Sequence, residues 1–267
     1  DYDFEGSNLS TILDVLAYNT YITSYNANMI TNEVFIDTAT LRENIVSLAR
    51  NIGYVPRPRQ AARATVSFFV NTSGINPAPA TLTLKKGPVA ASSSQFGGHI
   101  TVPVFNGIAE FNDVEIFEGT LLTQTYTYSA RIPNQKFILP NVGVDTDLIT
   151  VSVRPNEAST TETKYSVQNS LFDVNSDSKV YYLQEIEDER YQIFFGDGIF
   201  GKALEDGNFI TINYITSDGD SANGLSSFNF AGRIEYTRNA QSYTISAGIS
   251  LMTTGLSASG GEVIESV

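Results

Sequence analysis

The sequence predicts an α+β chain in which an N-terminal helical pair is followed by mainly antiparallel, β-sandwich-like units. Three observations predict it. Apolar residues recur at helical spacing as far as Ile52; the period changes to two after Pro56 and Pro58; and from there short alternating runs are separated by Gly, Pro, Asn and Asp turns. Hydrophobic residues make up 42% of the 267 and charged residues 17%, a balance too apolar for disorder and sufficient for a sizeable core. Two compact units are the expectation at this length.

The first helix is expected from Asn8 to about Ile30. Val15, Tyr18, Ile22, Tyr25 and Met29 fall on one heptad stripe, while Leu9, Ile12, Leu13 and Leu16 populate another face. A helix apolar on two sides is either packed centrally in its own domain or completed by helices from another chain. The brief cluster Val34, Phe35 and Ile36, within Asn32 to Asp37, fits either a turn or a continuation of that helix. A second helix is bounded more sharply: Thr40 and Glu43 have capping-box spacing, Leu41, Ile45, Leu48 and Ile52 form its stripe, and Gly53 followed by Pro56 stops it.

Strands are predicted at Thr65 to Val70, Thr81 to Leu84, His99 to Val104, Ala109 to Phe111, Leu121 to Ala130, Lys136 to Leu139, Leu148 to Arg154, Val180 to Glu185, Tyr191 to Phe195 and Phe209 to Tyr214. The polar stretch Pro155 to Thr163 is a link between two β units or a long loop within one. Taken as a link, it divides the chain into a helical segment 1–57, a β domain 58–155 and a second β domain 156–267. The chain opens at Asp1 and ends at Val267 without a closing turn signal, so a segment of a longer polypeptide is expected.

Composition excludes several classes of function. A formal net charge of -13 repels phosphate backbones and anionic membrane surfaces. With no cysteine and a single histidine, His99, the chain cannot hold a disulfide or a thiolate metal site. No apolar run approaches the ~20 residues that span a bilayer, so no membrane anchor is expected. No serine sits in a nucleophile-elbow pattern that His99 could serve as base. Asp173, Asn175 and Asp177 open like a calcium loop, but Ser178 stands where the turn glycine belongs and Gln184 where the closing Glu belongs. Glu185, Glu187, Asp188 and Glu189 lie between two alternating segments and read as a solvated hairpin turn, not a carboxylate pair. Asp218, Gly219, Asp220, Asn223 and Gly224 read as a turn too. No catalytic, cofactor-binding or metal site is therefore expected, nor any cofactor. Gly196, Asp197, Gly198 and Gly201 lack the lysine spacing of a phosphate loop and are read as a structural turn.

The run Tyr191-Gln192-Ile193-Phe194-Phe195-Gly196-Asp197-Gly198, with Gly201-Lys202, Asp206-Gly207 and Ile210 to Tyr214, resembles the signature of baseplate J-like proteins. At the other end Gly6-Ser7-Asn8-Leu9, Leu13 to Thr20, Thr40 to Asn44 and Gly53 to Arg57 resemble the wedge proteins of T4-like contractile-tailed bacteriophages. Ser259-Gly260-Gly261-Glu262 resembles that family's entry into its next domain.

The resemblance implies a non-enzymatic structural subunit of the virion, in the tail baseplate, assembled in the host cytoplasm. It implies pairing with a second copy of itself as a homodimer, and with helices of other baseplate wedge proteins around the tail hub. It makes the stripe Val15, Tyr18, Ile22, Tyr25 and Met29 the expected helical-bundle interface. The alternative is a carbohydrate-binding β-module of a tail adhesin. That reading requires several exposed aromatics at one loop cluster, whereas Tyr126, Tyr128, Tyr181 and Tyr182 fall inside predicted strands.

Overall fold

The computed structural model describes residues 8–51, 57–133, 135–169 and 174–266. Contacts divide the chain into two units, Asp1–Pro56 with Ser266–Val267, and Arg57–Glu265.

In the first unit, α1 spans Asn8–Glu33 and α2 spans Arg42–Asn51. Ser, Thr and Asn normally compete with a helix backbone. Here Thr20 and Thr31 turn their hydroxyls inward, donating at 2.8 Å to the carbonyls of Leu16 and Ala27 one turn back. The helix ends at Glu33, so Val34, Phe35 and Ile36 occupy a turn, closed by the amides of Thr38 and Ala39 bonding to Phe35 O. The Glu43 side chain of the expected box lies outside what is described, and Thr40 takes part in a longer-range device. The Glu33 carboxylate accepts the Thr40 amide (2.9 Å) and hydroxyl (2.7 Å), the Leu41 amide (3.3 Å) and the Asn44 side-chain amide (2.8 Å). It satisfies donors that the start of α2 would otherwise leave open. The most buried residues of α2 are Val46 and Ala49, one position on from the expected Ile45 and Leu48, which are half-buried; Leu41 is exposed. Ile52, Gly53 and Pro56 lie outside the described residues.

The second unit is built from two sheets. The chain enters the first through β1 (Arg63–Asn71), β2 (Thr81–Leu84), β3 (Pro88–Ala91), β4 (Gln95–Gly97), β5 (Ile100–Phe105) and β6 (Ile108–Glu118). It forms the second from β7 (Thr120–Thr127), β8 (Phe137–Ile138), β9 (Val144–Arg154), β10 (Thr163–Val167), β11 (Val180–Ile186), β12 (Arg190–Phe195) and β13 (Phe209–Thr216). It then returns to the first with β14 (Asn229–Phe230), β15 (Ile234–Arg238), β16 (Gln241–Ile245) and β17 (Thr253–Ser259). The polar stretch 155–163 thus joins β9 to β10, antiparallel neighbours in one sheet, and is no boundary between β units. The change of sheet falls instead at Gly119 and at Ser217.

In the first sheet β6 is the organising strand, with β1 along one side and β5 and β4 along the other. Of this strand only the start, Ala109 to Phe111, is predicted from the sequence, and the break beyond it is at Asn112-Asp113. Asp113 takes φ 49° as a bulge: its amide donates to Ser67 Oγ at 2.9 Å and the pairing with β1 resumes at Val114. The core beneath holds Val66, Phe68, Leu82, Leu84, Phe96, Phe111 and Ile116, with Phe68 stacked on Phe111 at 4.6 Å. Phe228, from the returning segment, meets Phe96 edge-on at 4.9 Å. Each such side chain contributes about 1.5–3 kcal/mol by leaving water.

The second sheet runs in the order β7-β13-β9-β10-β11-β12-β8 and is antiparallel except for the β10–β11 pair. Its core gathers Ile193, Ile210, Ile212, Tyr214, Leu139 and Tyr181. Pairing of β7 stops at Thr127, short of the predicted Ala130.

Candidate functional site

On α1, the stripe residues Val15, Tyr18, Tyr25 and Met29 are 62%, 68%, 53% and 44% exposed, and Ile22 is half-buried. Leu9, Ile12, Leu13 and Leu16 on the other face are exposed as well, at 49%, 56%, 46% and 55%. The two apolar faces predicted from spacing are both present, and both open. Only Asp14 and Glu33 carry charge along the helix, so neither face is guarded by the charged residues that normally keep such a surface in water. The turn that follows adds exposed Val34, Phe35 and Ile36.

The Gly196 turn closes β12. Gly196 forms a bridge with Ala203, and a Cβ on Gly196 would lie 2.1 Å from the carbonyl carbon of Gly201, so two backbones pack where no side chain fits. Gly198 and Gly201 take φ of 92° and 99°. One carboxylate oxygen of Asp197 accepts the amides of Ile199 and Phe200, each at 2.9 Å, and these hydrogen bonds hold its carboxyl below the usual carboxylate range. The carboxylate is thus occupied by its own turn, leaving Ile199 and Phe200 exposed at its tip.

The remaining polar clusters are similarly self-satisfied. Asn175 Oδ1 accepts the Asp177 amide and the Ser178 hydroxyl, each at 3.0 Å; Asp173 lies outside the described residues. Among the described residues no group of carboxylates and histidine is arranged to hold a metal ion. Glu187 to Glu189 make the hairpin turn between β11 and β12, with Asp188 paired to Arg190 (3.2 Å) and Glu189 to Arg59 (3.8 Å). His99 donates through Nδ1 to Leu84 O at 2.7 Å. Gly219–Ala222 forms a single helical turn, after which the side-chain amide of Asn223 exchanges two hydrogen bonds with Gly261.

Tyr126, Tyr128, Tyr181 and Tyr182 form no exposed aromatic cluster. Tyr181 is buried and donates to Ile149 O at 3.2 Å, and burial raises its phenol to about 12. Half-buried Tyr126 bonds to Ile138 O and meets Phe137 edge-on. Tyr182, also half-buried, bonds to Phe200 O at 3.2 Å, and Tyr128 packs against the second core.

Sequence reasoning missed three buried carboxylates, Glu118, Asp145 and Glu235. Glu118 and Asp145 are 3% and 0% exposed, at the end of β6 and the start of β9. Their only sequence signal is a charge at a position that strand alternation assigns to the interior.

Residues 1–54 match the model for the helical domain of gp6-like baseplate wedge proteins. The chain is also 25% identical over 259 residues to baseplate wedge protein gp6 of Enterobacteria phage T4, an alignment covering 86% of this chain and 37% of that protein. The resemblance carried by the N-terminal motifs is therefore borne out over most of the sequence: this chain is similar to a T4-type baseplate wedge protein, and its N-terminal helices match the helical domain of that family.

Proposed function

We propose that the chain is a structural segment of a tail-baseplate wedge in a contractile-tailed phage, located in the virion and acting through protein–protein contacts without enzymatic turnover. The single observation that carries this reading is α1, a 26-residue helix with two open apolar faces. Magnitudes decide how it is covered. Burying what remains exposed of the five stripe residues, about half of their surface, yields roughly 4–8 kcal/mol, while bringing two bodies together costs about 4–15 kcal/mol. One face in a helix pair is therefore marginal. Both faces covered in a bundle, by a second copy and by helices of other wedge proteins around the tail hub, give a firm assembly. The match over residues 1–54 supports the same arrangement. The carbohydrate-binding alternative loses support, because Tyr126, Tyr128 and Tyr181 belong to or pack on the second core.

The test is Ile22→Asp, followed by light scattering and sedimentation. A buried, unpaired carboxylate at the centre of the stripe should weaken self-association or capture by wedge partners at least a hundredfold, about 2.7 kcal/mol. The β-sheet unfolding transition should not move. Unchanged assembly would remove the stripe from the interface.

A further inference from the structure

The two sheets have separate cores with no residue in common among the described residues. The chain passes between them at two points, and these points are adjacent. The outgoing crossing is Gly119, between β6 and β7; the returning one is Ser217, directly after β13. Thr120 and Thr216 are register partners, so the crossings lie side by side at one end of the β7–β13 pair. Gly119 has φ 119°, and a Cβ there would sit 2.3 Å from Thr216 O. Two neighbouring strand ends, one a glycine no other residue can replace without strain, make a natural axis of rotation.

Alongside buried Ile215 and Ala61, polar contacts join the sheets at this axis. Glu118 Oε2 accepts the Ser217 hydroxyl (2.5 Å) and the Asp218 amide (3.3 Å), while Ser217 Oγ accepts the Gly219 amide (2.9 Å). Asp145, on β9, accepts the amide of Ala61 at 2.8 Å from the segment leading into β1, and the Asp147 amide at 2.9 Å within its own strand. Arg59 reaches Glu189 at 3.8 Å, and Arg63 reaches Asp147 at 3.9 Å. A cleft of about 310 Å³ opens alongside, lined by Arg59, Glu118, Asn141, Ser217 and Asp218. Water can take over these hydrogen bonds when such a junction opens, at a net cost of about 0.5–1.5 kcal/mol for each neutral bond and more where a carboxylate is involved. An apolar interface has no such substitute.

We infer that this junction is a hinge with a carboxylate latch: the β7–β13 sheet turns as a body about Gly119 and Ser217, and Glu118 and Asp145 hold it closed through Ser217 and Ala61. The groups facing the latch are Asp218 and Arg59 around Glu118, and Asp147 and Arg63 around Asp145. Burial pushes both carboxyls above their ordinary range, and the neighbouring aspartates add to it, while the hydrogen bonds and arginines oppose. The closed form therefore holds protons more tightly than an open, hydrated one. Its extra stability is complete below the ordinary carboxylate range and is lost as pH rises through the raised values.

The absence of cysteine permits a direct test. Spin labels at Thr125→Cys on β7 and Ser242→Cys on β16 report the distance between sheets, with the labelled chain diluted in unlabelled chain so that only intramolecular pairs count. A pair placed within each sheet serves as the folding control. Glu118→Ala should raise the open-to-closed ratio about tenfold, seen as growth of a longer-distance population, while the within-sheet distances stay fixed. Glu118→Gln, which keeps an acceptor for Ser217 and Asp218, should remain closed. In the wild type, acidification from neutrality should shrink the longer-distance population. A single unchanged distance in Glu118→Ala overturns the hinge. Opening of Glu118→Gln as far as Glu118→Ala, or growth of the open population on acidification, overturns the latch as described.

Discussion

Replacing Gly196 by alanine tests whether the turn after β12 is held by backbone packing alone. The added Cβ would fall 2.1 Å from Gly201 C and 2.2 Å from Gly201 O. Carbon atoms rest at about 3.5 Å, so the two segments must separate by roughly 1.4 Å. That movement acts on the Gly196–Ala203 bridge, the Gly198 amide bond to Gly201 O (3.0 Å), the Gly201 amide bond to Asn175 O (3.1 Å) and the Lys202 amide bond to Ser178 O (2.8 Å). Losing two or three of them at about 1 kcal/mol each gives a destabilisation of about 2–3 kcal/mol. For a unit of this size the Tm should fall by roughly 5–10 °C in a calorimetric scan. Asp197→Asn retains the acceptor oxygen for Ile199 and Phe200 and should melt with the wild type. A Gly196→Ala protein as stable as the wild type would refute the packing argument. A rise in wild-type Tm with phosphate, a nucleotide or a divalent cation that Asp197→Asn abolishes would make the turn a ligand site.

Other expectations follow from the same geometry. Hydrogen bonds from Asn44 and Thr40 hold Glu33 down to about 2, against an ordinary value of 4.5. Its contribution to the α1–α2 corner is therefore present above pH 4.5 and is lost as pH falls through about 2; amide exchange at Thr40 and Leu41 should accelerate over that range, and in Glu33→Gln at neutral pH. The phenol of Tyr181 is raised by burial from 10.0 to about 12. Its contribution is intact below pH 10 and disappears as pH rises through about 12, so Tyr181→Phe should flatten the alkaline loss of stability measured by denaturant titration.

Much of this architecture was legible where a single local rule governs. The stripe Val15, Tyr18, Ile22, Tyr25 and Met29 follows the helical period, β2 follows the alternation of Thr81 to Leu84, and β11 and β12 fall on the predicted runs Val180 to Glu185 and Tyr191 to Phe195. The positive φ at Gly198 and Gly201 follows from glycine itself. What escaped depends on residues distant in sequence. The strand β17, with Gly255, Ser257 and Ala258, has little strand propensity of its own and exists because it pairs with β1. The N-terminus of α2 is satisfied by Glu33 from the preceding helix, beyond the window of a capping box. The polar stretch 155–163 has the composition of a link, whereas the chain changes sheets at Gly119, inside an almost unbroken run of strand residues. Glu118 and Asp145 likewise gain meaning only once Ser217 and Ala61 are brought beside them.

The insertion of one sheet within another also orders events in time. A ribosome delivering this chain releases every strand of the second sheet, Thr120 to Thr216, as one continuous stretch. That sheet can close while the first still lacks Phe228, Ile234 and Ala258, residues its core needs. Until β17 emerges, β1 has no partner on that side, and the backbone of Arg63 to Ser67 must wait for a segment nearly two hundred positions downstream. Early termination beyond Ser217 should thus leave a finished second sheet tethered to an unfinished, aggregation-prone first one. The fold is safest when its last strands arrive promptly.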